Sequence, residues 1–95
     1  MKITKGSNNV FGDLGFDEAE AAMLKHKTEA LIAIQRAMKA QRLSQVQAAR
    51  LMGVSRPRLN QMTRGNFEGV TFDRMLRMAN RIGVQARVAY RRKSA

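Results

Sequence analysis

Two helix starts lie eleven residues apart with a glycine between them, and no other feature constrains this chain so tightly. In "LSQVQAARLMGVSRPRLNQMTRG", residues 43–65, Ser44 is followed three positions on by Gln47. That is a capping box: the hydroxyl accepts the backbone N–H three residues ahead, and the glutamine side chain reaches back to the N–H of the cap. Gly53 marks the end of this helix, where the backbone turns left-handed. Ser55 caps the next helix, and Pro57 falls in its first turn, where a backbone N–H has no intrahelical acceptor and the ring costs little. Gly65 ends it. The stretch predicts two short helices joined by the turn Gly53–Val54–Ser55.

The apolar positions set which sides face inward. Val46, Ala48, Ala49, Leu51 and Met52 give the first helix an apolar face, with Ala49 small where the two helices cross. Val54, Leu59 and Met62 pin the second helix to a core. Its outer face then falls to Arg56, Pro57, Asn60, Gln61 and Arg64, with Arg58 at the edge. These are residues suited to a major groove. Arginine pairs with guanine O6 and N7 through two hydrogen bonds, and glutamine or asparagine does the same with adenine N6 and N7. Free N–H groups at the helix starts of Ser44 and Ser55 can hold phosphates, with Gln45 adding a side-chain contact.

On either side the chain continues in the same style. Asp17 and Glu20 form a further box, and from Ala19 to Gln41 there is neither glycine nor proline while Leu24, Leu31, Ile34 and Met38 recur at helical spacing. One long helix is expected there. Thr71 caps a last helix, with Phe72, Met75, Leu76, Ala79 and Ile82 on its inner side until Gly83. Residues 84–91 instead alternate, Val84, Ala86, Val88 and Tyr90 against Gln85, Arg87 and Arg91, which is the period of a strand. A lone strand needs a neighbour, either the N-terminal segment or the same strand of a second subunit. Residues 1–16 read as an irregular arm with Met1–Lys5 as a short edge strand, and 92–95 as a tail. The methionines 52, 62, 75 and 78 read as core filler.

Charge separates the chain into two parts. Of 18 Lys and Arg against 7 Asp and Glu, residues 1–35 hold four and five, and residues 36–95 hold fourteen and two. The second part therefore carries +12, which points to a polyanion partner. Arg74, Arg77 and Arg81 add to it on the outer side of the last helix. There is no cysteine and one histidine, His26, among lysines, so thiolate metal sites and a serine–histidine pair are not expected, and Ser44 and Ser55 read as caps. No enzyme, cofactor or metal is expected. The longest apolar run is Ala30–Ile34, too short for a signal peptide or a membrane span, so a cytoplasmic location is expected, on the nucleoid through DNA.

Residues 43–65 resemble the helix-turn-helix of lambda-repressor-like (XRE-type) regulators, in which leucine, Ser/Thr and Gln open the first helix and Ser/Thr starts the recognition helix. The flanks "SNNVFGDLGFDEAEAAMLKHK" and "TFDRMLRMANRIGVQARVAY" resemble HigA-like antitoxins, small dimeric repressors that neutralise a neighbouring RelE-like ribonuclease toxin. The resemblance implies an all-α, lambda-repressor-like bundle of about four helices with a short C-terminal β-strand: the arm at 1–16, the DNA-binding domain at 17–83 with its helix-turn-helix at 44–64, and the strand at 84–91. It implies a homodimer on a palindromic operator, phosphate contact at Gln45, base reading from Arg56, Pro57 and Gln61, and Arg58 and Arg64 near the backbone. Pro57 has no donor and offers only an apolar contact. The acidic group Asp13, Asp17, Glu18 and Glu20 is the expected toxin-binding surface, because a ribonuclease is basic where it attracts RNA. The alternative is a stand-alone phage-type regulator with no toxin partner.

Overall fold

The computed structural model describes residues 17–92, and every regular element among them is a helix: α1 (Glu18–Ala40), α2 (Gln45–Met52), α3 (Arg56–Thr63) and α4 (Phe72–Arg81). Each start is capped by the side chain the sequence names. Asp17 accepts from the Glu20 N–H at 2.6 Å, Ser44 from Gln47 at 3.1 Å, Ser55 from Arg58 at 3.2 Å and Thr71 from Arg74 at 3.1 Å. The boxes close in both directions at α1 and α2. Each cap contributes about 1 kcal/mol, a large share of what an eight-residue helix needs to persist.

All four helices also end alike. The N–H just past the turn at each end returns to the carbonyl five residues back, in the last turn of the helix: Leu43 to Met38 at 2.9 Å, Val54 to Ala49 at 3.0 Å, Asn66 to Gln61 at 3.0 Å and Val84 to Ala79 at 2.9 Å. This closure requires one left-handed residue. Gly53 supplies it between α2 and α3 with φ 72°. At the end of α1 the left-handed residue is Arg42, φ 55°, where a side chain costs about 1–2 kcal/mol over glycine.

α1 is unbroken and packs chiefly on α4, while α2 packs on both α3 and α4. The core is Leu31 and Ile34 of α1, Ala48, Ala49 and Met52 of α2, Leu59 and Met62 of α3, and Met75, Met78, Ala79 and Ile82 at α4, closed by Val70 from the preceding loop. The four methionines expected as filler are all in it, and burial of side chains this size stabilises by about 1.5–3 kcal/mol each. Val70 had no periodic pattern to announce it. The His26 ring meets that of Phe72 at 5.5 Å and joins α1 to the start of α4.

One expectation needs correcting, and another is not met within the single chain. Val46 and Leu51 are 45% and 48% exposed, so they do not face the core. An eight-residue helix has one inward strip, and Ala48, Ala49 and Met52 fill it, leaving Val46 and Leu51 about 110° to either side. The strand expected over 84–91 is not shown in the single chain: residues 84–92 carry neither helix nor sheet pairing, with Val88 57% and Tyr90 92% exposed. A strand satisfies its backbone only against another edge, and no other strand occurs among the described residues. The arm at 1–16, including Asp13 and the edge strand at Met1–Lys5, lies outside the described residues. Among the described residues no helix is long and apolar enough to cross a membrane.

Candidate nucleic-acid interface

The site is the outer side of α3, and its direction follows from what α3 buries. Leu59 and Met62 are fully buried. With 100° per residue, Pro57 and Arg64 then lie about 170° from the midline of that buried pair, Asn60 and Gln61 about 130° to either side, and Arg56 and Arg58 at opposite edges. Arg56, Pro57, Gln61 and Arg64 are exposed, Asn60 half-buried. One helix face thus brings together two guanidinium groups, a carboxamide and a proline ring, with a second carboxamide at its flank. A helix of this width enters the B-form major groove, and those donors match guanine and adenine edges.

The helix starts behave as caps first. The Ser44 and Ser55 oxygens accept backbone N–H groups, which leaves each hydroxyl proton available to donate to an oxyanion. Both serines are exposed, and Gln45, the first residue of α2, is half-buried. Ser44 and Ser55 therefore sit at the positive ends of two helix dipoles, the places where phosphates are held.

Arg58 differs from its neighbours. Its guanidinium donates to the Glu68 carbonyl at 2.8 Å, over Gly69, and it is half-buried. That bond commits one side of the group to holding the 66–69 loop against α3. Base reading from Arg58 would require breaking it, so the outward donors of α3 are Arg56, Gln61 and Arg64, flanked by Asn60.

Two contacts that brace the fold around the turn have no signal in the sequence. Arg81, expected on the outer side of the last helix, reaches back across the fold and donates to the Met52 carbonyl at 3.1 Å. It thereby caps the negative end of α2 with a cation and ties α4 to the turn. A Cβ on Gly53 would collide with that guanidinium, so the glycine serves both the left-handed backbone and the approach of Arg81. The Gln41 carboxamide likewise donates to the Ile82 carbonyl at 2.7 Å and fastens the end of α1 to the end of α4. Both partners lie far apart in sequence, 29 and 41 residues, and no local pattern can announce them.

Of the acidic group, the three described members, Asp17, Glu18 and Glu20, stay together at the start of α1. Asp17 and Glu20 are engaged with each other's backbone in the α1 capping box, and Glu18 opens the same helix. A 23-residue helix is about 34 Å long, so these acids stand about 30 Å from the end of α1 that leads into α2. Among the described residues no group of three His, Cys, Asp or Glu is placed to hold a metal ion.

The family model described as a helix-turn-helix domain matches residues 10–90, and the chain belongs to that family. A domain of this class is a DNA-binding regulator, and DNA is the partner its geometry suits. No curated protein and no solved structure matches the chain.

Proposed function

We propose that this chain is a sequence-specific transcriptional repressor that binds, as a homodimer, a palindromic operator with half-sites about one helical turn apart. The observation that carries the reading is the face of α3: Arg56, Gln61 and Arg64 point away from a core that holds the helix through Leu59 and Met62. The +12 on residues 36–95 supports it, because neutralising phosphates is what such a charge does. Residues 84–91 pair across the two-fold axis in this reading, which would cover Val88 and Tyr90.

The finer role is that of an XRE-type, HigA-like antitoxin, which represses its own operon and sequesters a RelE-like ribonuclease toxin in the cytoplasm. Its support is the resemblance of residues 7–27 and 71–90, together with the acids at the start of α1, the opposite end of that helix from its junction with α2. Asp13 and Glu18 are the acids to test, because Asp17 and Glu20 also cap the helix. Reversing both charges should weaken binding to the basic product of the adjoining reading frame; unchanged affinity would remove the acids from the interface. No complex at all with that product would favour a stand-alone regulator.

The DNA reading is tested by gel-shift against the protein's own upstream DNA over a salt series. With six phosphates engaged, log K should fall with log salt by a slope of about 5. Arg56→Ala should lose about 1–3 kcal/mol on the preferred sequence and little on others. An equal loss on all sequences would make Arg56 a phosphate contact instead.

A further inference from the structure

We propose that the α4 arginines form a second DNA contact, a backbone clamp beside the helix-turn-helix turn that follows one strand outside the major groove. This rests on the DNA-binding reading above and extends it to a surface the recognition helix does not include. Arg74, Arg77 and Arg81 line one wall of an open groove of about 370 Å3, and Met52 and Gly53 of the turn line the other. The groove therefore ends two residues before the Ser55 cap of α3.

Its chemistry is that of an anion site. The three arginines are spaced i, i+3 and i+7, so they form one stripe on α4 about 10 Å long. Successive phosphates of a strand advance about 3.4 Å along the duplex axis, so the stripe accommodates at least two and is too long for a single small anion. Arg81 is held in the groove by its bond to the Met52 carbonyl and keeps its remaining N–H groups for a ligand. Among the described residues Arg77 pairs with Asp73, the one carboxylate of theirs that lines the groove, at 3.3 Å. Both side chains of that pair are more than 70% exposed, so it yields readily to a phosphate. The clamp neutralises phosphate charge and reads no base.

The test is fluorescence anisotropy with two duplexes, the protein's upstream DNA and a mixed-sequence duplex of equal length, over a salt series, comparing wild type with Arg74→Gln/Arg77→Gln. Arg81 stays in place because it also holds the turn. The salt slope should fall by about 1.8, that is 0.9 for each lost phosphate, with equal loss of affinity on both duplexes and unchanged preference between them. Circular dichroism should show unchanged helix content, since both side chains are exposed. A variant with the wild-type slope overturns the clamp alone. A variant that loses sequence preference places these arginines at bases and also overturns it. Wild type that binds neither duplex overturns the DNA-binding reading and the clamp with it.

Discussion

α3 and the segment 84–92 carry equally regular apolar patterns, yet only one becomes a structural element. Leu59 and Met62 recur at a spacing of three and are fully buried; Val84, Ala86, Val88 and Tyr90 recur at a spacing of two, and Val88 and Tyr90 lie open to solvent. The difference is where each backbone finds its partners. A helix closes its hydrogen bonds within eight residues, helped here by Ser55 at one end and by the Asn66 N–H at the other. A strand closes none of its own. Periodicity therefore says which side of an element would be apolar, and becomes structure only when a surface exists to receive that side.

The sharpest way to break this comparison is at Leu59. Leu59→Ala should lower unfolding free energy by about 2–5 kcal/mol in urea melts, through a cavity beneath α3. A loss below about 1 kcal/mol would mean that α3 is not held by its inner face. Next in size is Gly53→Ala, expected to cost roughly 2 kcal/mol from the left-handed backbone and the displaced Arg81 bond together. In an Arg81→Ala background the same change should cost less, and strict additivity of the two would deny their contact.

A smaller effect has the opposite sign. Arg42→Gly should raise stability by up to about 1 kcal/mol, the relief of a left-handed side chain less the greater freedom of glycine in the unfolded chain. A loss would mean that the Arg42 side chain contributes more than its backbone costs. The smallest effect belongs to the tail: Val88→Asp should change the melt of the isolated domain by no more than about 0.5 kcal/mol. The same variant should weaken self-association in sedimentation equilibrium, because the proposed strand pairing would bury that position. An unchanged association constant would remove residues 84–91 from the dimer.

The helix-turn-helix was legible because its signals are local. Asp17 with Glu20, Ser44 with Gln47, Ser55 and Thr71 each act within three residues, so four starts could be read in order along the chain and each is found capped as read. The outer face of α3 was legible by subtraction, once Leu59 and Met62 were turned inward. Val46 and Leu51 misled because an apolar residue on a two-turn helix satisfies the pattern from either side of a narrow inward strip. Arg58 and Arg81 misled because a cation in sequence looks free until a carbonyl 10 or 29 residues away is placed beside it.

What the amino-acid sequence determined alone was the succession of helices, their caps, the turn at Gly53 and the concentration of positive charge after residue 35. These depend on neighbours along the chain and on totals. Only the tertiary structure decided that Arg58 and Arg81 are anchored on carbonyls, that Val70 closes the core, and that Gly53 must leave room for Arg81 as well as turn the backbone. Those outcomes depend on distances between segments far apart in sequence, and such distances exist only once the core has packed.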